Sequence, residues 1–315
     1  MTVGMTDTKD KTTRGREFLL QASIAVLYFL TARLGLALHS IDGVAALIWP
    51  PTAVALSATL ILGLRIWPAI LVGSFVVDIM TGAPAISVIG MVLANTTEPL
   101  IGCMLIHWGR WPGTPGKNSF DRTLESKADV LRLIIGGALG STFICTIIGV
   151  GSLWVGGVIQ TESILHVGGQ WWAGNVLSNL AITPLILVFS RPQKHHRLAF
   201  TNGPLIEKIA FVAVLAGTCI FTLSDASIHF GLRPRNLYLL SPILLWATVR
   251  WGQRGAAFAT FVMSNLASLY LAQGQGPFHL GNSDFQLLNL VTFVGTMSIT
   301  SLFVASIVTE REAER

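Results

Sequence analysis

Long apolar runs separated by short polar gaps make up most of the chain. A membrane-spanning helix needs about 20 mainly apolar residues, or fewer where it is broken or flanked by protein. On this basis the pattern predicts ten membrane spans. Because the second, third and eighth runs are short, a count of eight spans with re-entrant pieces stays open. The predicted spans lie at 18–38, 46–62, 67–82, 85–107, 128–157, 170–189, 206–225, 237–250, 255–272 and 285–308.

The composition agrees with a membrane protein. Of the 315 residues, 52% are hydrophobic and 12% are charged, against about 25% charged in an average soluble protein. The mean hydropathy is +0.64. The first apolar run is longer than the core of a cleavable signal peptide and contains Arg33, so we interpret it as a retained span. The sequence therefore predicts an all-α, polytopic transmembrane helical bundle.

The positive charges indicate how the chain is oriented. The net charge is +5, but the basic residues lie in short gaps rather than in a stripe with aromatic residues, which excludes nucleic-acid binding. A cytoplasmic N-terminal tail puts nearly all of them on the cytoplasmic side, as the positive-inside rule requires, and makes both termini cytoplasmic. The outside loops then hold Arg233 and Arg235, and the cytoplasmic segments hold Lys9, Lys11, Arg14, Arg16, Arg65, Arg110, Lys117, Arg122, Lys127, Arg191, Lys194, Arg197, Lys208, Arg250, Arg254, Arg311 and Arg315.

Two parts of the chain share a pattern. The second span opens at Pro50 and ends in a turn that carries Arg65, and the eighth opens at Pro242 and ends in a turn that carries Arg254. We interpret spans one to four and seven to ten as parallel copies, with spans five and six inserted between them. Chance similarity between apolar helices is the alternative. Short, proline-broken segments in corresponding halves point to a binding site in such folds.

Few polar side chains interrupt the spans, and two of them are the carboxylates Asp78 and Glu98. A charge at the bilayer centre costs about 2.5–3.5 kcal/mol on insertion scales, so both are expected to face the bundle interior. One interpretation is a carboxyl–amide network that fixes helix packing. The other is a polar pocket, open to the outside, that binds a ligand. On the second interpretation the ligand-binding residues are Arg33, Trp49, Asp78, Asn95, Glu98, Trp172, Asn175 and Asn179.

Helical spacing and the predicted depth in the membrane indicate where these candidate residues lie relative to one another. Asn95 precedes Glu98 by three residues and shares its helix face, as Trp172, Asn175 and Asn179 share one face of the sixth span. Arg33, in the outer half of the first span, is expected beside one of the carboxylates, or else it snorkels to the outer interface. Trp49 and Trp172 begin their spans at the outer surface. There they line the mouth of the site or anchor the helices in the interface.

Catalytic and metal-binding motifs are missing from the sequence. It has no P-loop, no Gly-x-Ser-x-Gly elbow and no His-Glu-x-x-His motif. The three cysteines lie in apolar runs and are expected to pack as small hydrophobic residues. His195 and His196 lie in a basic loop, which we interpret as solvated rather than as a metal site. We predict a non-catalytic chain without metal or cofactor. An enzyme that uses Asp78 and Glu98 as acid and base is the least favoured alternative.

Three motifs occur in order along the chain. They are Ile48-Trp49-Pro50-Pro51 followed by Gly63-x-Arg65-x-Trp67-Pro68, then Ala94-Asn95-Thr96-Thr97-Glu98-Pro99-Leu100, and finally Trp171-Trp172-Ala173-Gly174-Asn175 running on to Thr183-Pro184-Leu185. Together they resemble the first type of membrane-associated sensor domain, of the MASE family. The resemblance extends over about Phe18 to Glu310.

The resemblance implies a bacterial sensory input domain embedded in the plasma (inner) membrane. The sensor domain would span 18–309, with a cytoplasmic tail at 1–17 and the start of a cytoplasmic signalling helix at 310–315. Such domains usually stand before histidine kinases of two-component systems, diguanylate cyclases or phosphodiesterases. The implied partners are therefore the lipid bilayer, an undefined small-molecule or membrane-protein stimulus, and a cytoplasmic kinase or cyclase output in cis or in trans. A homodimer stays open.

Two departures from the family pattern bear on these expectations. Family members often carry an acidic residue where this chain has Asn175, so a charge there is not expected to be essential. No output domain follows Arg315 in the sequence. This leaves the input part of a longer sensor and a stand-alone module with a partner as alternatives. The rival function is a small-molecule transporter or a substrate-capturing membrane subunit, which repeats, broken helices and midplane carboxylates also fit.

Overall fold

Helices account for nearly all of the regular structure. The computed structural model describes residues 4–38, 40–41, 45–108, 119–192, 204–224, 236–279 and 281–313. A small antiparallel hairpin joins β1 (Ser40–Ile41) to β2 (Ala45–Ala46). The predicted loop positions Arg110, Lys117, Lys194, His195, His196, Arg197, Arg233 and Arg235 lie outside the described residues. The α-helices are α1 (Gly4–Leu38), α2 (Pro50–Leu62), α3 (Trp67–Ile79), α4 (Ala85–Ile106), α5 (Lys127–Arg132), α6 (Ser141–Val155), α7 (Ile164–Ala181), α8 (Thr183–Phe189), α9 (Leu205–Leu223), α10 (Leu240–Ala272) and α11 (Ser283–Ala313).

Seven helical segments of the described chain are long and apolar enough to cross a membrane. The predicted second and third spans are α2 and α3, which have 13 residues each and are about 20 Å long. The predicted eighth and ninth spans form the single helix α10, which leaves helical geometry at Gly252. The all-α membrane bundle is thus confirmed, and the count of ten crossings stays a prediction. The seven candidate spans are Arg14–Ala37, Ala85–Ile106, Lys127–Val155, Thr161–Phe189, Leu205–Leu223, Asn236–Ala272 and Asp284–Glu312.

The first proline motif fixes where α2 begins. Trp49 has φ −109° and ψ 82°, because the residue before a proline is kept out of helical geometry. Pro50 then opens the helix, where its missing N–H costs nothing. The Trp49 amide donates a hydrogen bond of 2.7 Å to the hydroxyl of Ser178, in the last turn of α7. The start of α2 is therefore held against the end of α7.

The two turns that carry arginine have a common form. Gly63, at φ 92°, ends α2, and Gly252, at φ 56°, breaks α10. These backbone angles favour glycine because it has no Cβ. Arg65 and Arg254 each lie two residues further on, and Arg254 donates a hydrogen bond of 3.2 Å to the carbonyl of Val188 at the end of α8. This match agrees with the predicted repeat, which stays a prediction.

The centre of the bundle is the continuous helical segment α7–α8. Its most apolar stretch is 78% buried, against 22% for α1 and for α9. It packs against α2, α6, α10 and α11, and its buried side chains belong to the two largest apolar clusters. The exposed apolar side chains of α1 and α9 suit a surface that faces lipid. The polar side chains in the second half of α7, among them Asn175 and Asn179, are thus far from water.

Candidate functional site

Helix α4 presents two buried polar side chains to different neighbours. Asn95 is 6% exposed and contacts α3, and Glu98 is 2% exposed and contacts α7. Pro99 lies inside the helix directly after Glu98. Proline has no N–H, so the carbonyl of Asn95 lacks its usual helical donor. Helix α4 therefore places a backbone carbonyl without its helical donor and two polar side chains at the same depth in the bundle.

The first polar group joins α3 to α4 around Asp78. Ser74 precedes Asp78 by one helical turn, and its hydroxyl donates a hydrogen bond of 2.7 Å to Oδ2 of the carboxylate. The amide of Asn95 donates to the same oxygen at 3.3 Å and to the Ser74 hydroxyl at 3.1 Å. Tyr28 of α1 is 1% exposed and packs against α3 at Gly73, the residue before Ser74. Three helices thus meet at one carboxylate.

The second polar group joins α4 to α7 around Glu98. The Nδ2 atom of Asn175 donates a hydrogen bond of 3.0 Å to Oε2, and that of Asn179 lies 3.5 Å from Oε1. The Nδ2 atom of Asn175 also lies 3.9 Å from Sγ of Cys145, on α6. The two asparagines are four residues apart and so share one face of α7. We call Glu98, Asn175 and Asn179 the Glu98 network.

The Glu98 network continues into an irregular part of the neighbouring helix. Residues Leu133–Gly140, between α5 and α6, form a π-helix, a geometry often found at functional sites. Asn179 donates a hydrogen bond of 3.2 Å to the carbonyl of Gly137 in this segment, and Thr183 donates one of 2.9 Å to Oδ1 of Asn179. One amide side chain therefore contacts a buried carboxylate and an irregular backbone at the same time.

Neither carboxylate has a cationic partner in the described part of the chain. Its ion pairs lie elsewhere, among them Arg65–Glu17, Lys127–Glu310 and Arg250–Glu207. The same residues contain no group of three or more histidine, cysteine or acidic side chains that could hold a metal ion. Buried charges are normally paired or bound to a metal. Asp78 and Glu98 depart from that pattern.

Arg33 does not take the expected place beside a carboxylate. It is exposed on α1, next to the exposed Leu34 and three residues after the exposed Leu30. Tyr28 and Ala32, on another face of the same helix, are buried against α2 and α3. The helical spacing thus points Arg33 away from the bundle interior.

The chain was compared with known protein families, curated proteins and solved structures. The MASE1 family model matches residues 20–312. This chain belongs to the MASE1 family. It is therefore a multi-pass membrane sensory input domain, and the resemblance of its motifs is confirmed. The chain has no significant match among curated proteins or solved structures.

In this MASE1 domain the two candidate tryptophans contact the framework of the site. Trp49 is half-buried, and its backbone amide reaches α7 at Ser178, the residue before Asn179. Trp172 is also half-buried, and its indole N–H donates a hydrogen bond of 3.3 Å to the carbonyl of Leu139 in the π-helix. Neither indole hydrogen-bonds a carboxylate within the described residues.

Several residues of the MASE1 site were not predicted. Ser74 and Thr183 lie four residues from Asp78 and Asn179, a spacing that could have found them. Tyr28, Cys145 and the Gly137 carbonyl approach from other helices, so a single sequence carries no signal for them. Tertiary contact alone brings these groups to the site.

Proposed function

We propose that this MASE1 domain detects a small ligand or a partner membrane protein through the polar groups around Glu98 and Asp78. The Glu98 carboxylate carries the proposal, because it is 2% exposed and its hydrogen-bond donors are neutral. Removing a charge from water costs several kcal/mol unless excellent partners repay it. An ionisable group kept at membrane depth under these conditions favours a functional role. The domain has no catalytic role in this proposal.

Helix α11 is the proposed output element. A stimulus with different affinities for two helix arrangements shifts the balance between them. Helix α11 runs without interruption from Ser283 to Ala313, so movement within the bundle reaches the end of the family match. The proposed recipient is a cytoplasmic kinase or cyclase output, in the same chain or on a partner. In a homodimer, each subunit would contribute one copy of this output helix.

The proposed orientation puts both termini in the cytoplasm of a bacterial plasma membrane, with ten crossings. The ion pairs Arg65–Glu17, Lys127–Glu310 and Arg250–Glu207 support it, because each joins two segments that the orientation places on the same side of the membrane. Each of these residues lies in a segment that the charge pattern assigns to the cytoplasm. Counting α2, α3 and both arms of α10 as crossings gives the ten spans that this orientation needs.

The test is a chimera in which this domain drives a known output domain. We expect Glu98→Gln to change the signalling output while membrane expression is retained, because the amide keeps the size of the side chain and removes its charge. Glu162→Gln is the matched control, since Glu162 is exposed outside the bundle core. Output and membrane abundance are measured in the same cells. Equal signalling by Glu98→Gln and the unmodified chimera would overturn the proposed site.

A transporter is the second candidate function. The 13-residue helices α2 and α3 and the break at Gly252 favour it, because transporters build midplane sites from broken helices. The two functions differ in whether a substrate crosses the membrane, since a sensor binds its stimulus without transferring it to the other side. Substrate uptake into vesicles that is lost on changing Asp78 or Glu98 would favour the transporter.

A further inference from the structure

The helical segment Lys127–Val155 contains a π-helix in its middle. A π turn holds one residue more than an α turn, so it acts as an insertion in the helix. Loss or displacement of that insertion moves one end of the helix relative to the other by about 1.5 Å and about 100°. The eight residues Leu133–Gly140 thus separate α5 from α6 by a π-helical element in which such an insertion can move.

The π-helix is tied directly to the Glu98 network. Its Gly137 carbonyl accepts hydrogen bonds from Nδ2 of Asn179, at 3.2 Å, and from the Ser141 hydroxyl, at 2.7 Å. The Leu139 carbonyl accepts the indole N–H of Trp172. Two of these donors come from α7. A change in the position of Asn179 therefore alters the hydrogen bonding that supports π geometry.

The other end of this segment is tied to the output helix. The backbone N–H of Lys127, the first residue of α5, donates a hydrogen bond of 3.3 Å to Oε1 of Glu310 on α11. The ammonium group of Lys127 lies 2.9 Å from Oε2 of the same carboxylate. The side chain of Lys127 is 51% exposed and that of Glu310 is 37% exposed, and ion pairs in contact with water are weak. Such a contact holds α11 in place and opens at little cost.

A buried glutamine forms a second contact with α11, in addition to the contact between Lys127 and Glu310. Nε2 of Gln253, the residue after the break in α10, donates hydrogen bonds to the carbonyl of Leu302 on α11, at 3.1 Å, and to that of Leu124. Its Oε1 is buried and has no hydrogen-bond partner among the described residues. An unsatisfied buried acceptor costs free energy. The joint between α10, α11 and the segment before α5 therefore contains an acceptor whose burial opposes its stability.

We infer that the segment Lys127–Val155 carries a change at Glu98 to α11 by a register shift of its π-helix. This inference rests on the proposed sensory function and names its internal route. Displacement of Asn179 removes a donor from Gly137, the π turn moves, and α5 rotates about its axis. Lys127 then leaves Glu310 and releases the end of α11.

The test measures the distance between α5 and α11 in the absence of any ligand. Spin labels are placed on Ala128→Cys and Arg311→Cys, both at exposed positions, in the full chain in lipid nanodiscs. The three native cysteines are buried, which favours selective labelling. Pulsed electron paramagnetic resonance is expected to show one distance population for the parent chain. Asn179→Ala is expected to give a displaced or second population.

Asn265→Ala is the matched control, because it truncates an asparagine outside the proposed site whose amide hydrogen-bonds the Phe261 carbonyl of its own helix rather than the π-helix. It is expected to leave the distance population unchanged. If Asn179→Ala does not fold, Thr183→Val replaces it. Valine keeps the shape of Thr183 but removes the donor to Oδ1 of Asn179, and a shift in the same direction is expected.

Identical distance populations for the parent and a folded Asn179 or Thr183 variant would overturn the inferred route. A shift in the Asn265→Ala control as large as that in Asn179→Ala would overturn it as well. Because no ligand is present, a failure of the proposed sensory function leaves this result unaffected. Altered signalling by the Glu98→Gln chimera with unchanged distances would reject the route alone.

Discussion

Replacing Asn175 with leucine is expected to lower the free energy of unfolding by about 2–3 kcal/mol. Its Nδ2 atom donates the shorter of the two asparagine hydrogen bonds to Glu98, and its side chain is 1% exposed. Leucine fills a similar volume but leaves a carboxylate oxygen buried without its donor. An unsatisfied buried group costs about 1–3 kcal/mol, and more when it is charged. Reversible unfolding in bicelles measures the loss.

A second substitution separates this electrostatic cause from a packing defect. If the loss arises at the carboxylate, Glu98→Leu in the Asn175→Leu background recovers much of the stability, because no buried acceptor remains. Asn265→Leu is the matched control, since the Asn265 amide bonds the Phe261 carbonyl of its own helix and the residue is half-buried. A loss at Asn265 as large as that at Asn175 would reject the role of Glu98.

Replacing Gly255 with alanine is expected to cost about 3 kcal/mol or more, at the upper end of overpacking effects. A Cβ at this position would lie 2.1 Å from the carbonyl oxygen of Ala247 and 2.9 Å from Cβ of Trp251. The nearest obstacle is backbone, so no side-chain rotation relieves the clash. The two arms of α10 must then separate at Gly252, and we expect less folded protein in the membrane.

Gly151→Ala is the matched control for Gly255→Ala. Gly151 lies within α6, and a Cβ there would meet nothing within 4 Å. Alanine is preferred to glycine in a helix interior by about 1 kcal/mol, so this variant is expected to be neutral or slightly stabilised. Equal thermal stability of the Gly151 and Gly255 variants in detergent would contradict the close packing of the two α10 arms.

The sequence was informative wherever local chemistry decides the structure. The apolar runs predicted the all-α bundle. Pro50 and Gly63 indicated the bounds of α2, a helix that is too short to be recognised from hydropathy alone. The i, i+4 spacing grouped Asn175 with Asn179 on one face of α7, where both reach Glu98. Asn95 and Glu98, three residues apart, instead contact different helices. Which helices these faces meet was not available from spacing.

The failures have a common physical cause. Of the two expectations for Arg33, a place beside a carboxylate was wrong, because a residue on a lipid-facing helix can point outward. The π-helix at Leu133–Gly140 was not predicted, and its carbonyls accept hydrogen bonds from Asn179 and Trp172 on a different helix. A single sequence does not record such contacts between distant segments. The same limit hid Cys145 and Tyr28.

The measurement that tests the central claim most directly is a complete substitution scan of the chimera, with output and membrane abundance recorded for each variant. The account predicts that changes in output, after correction for abundance, concentrate at Asp78, Asn95 and the Glu98 network. Substitutions of exposed apolar residues on α1 and α9 should alter output only through abundance. If abundance explains the output of every variant at the carboxylates, these groups only hold the helices together, and the sensory site lies elsewhere.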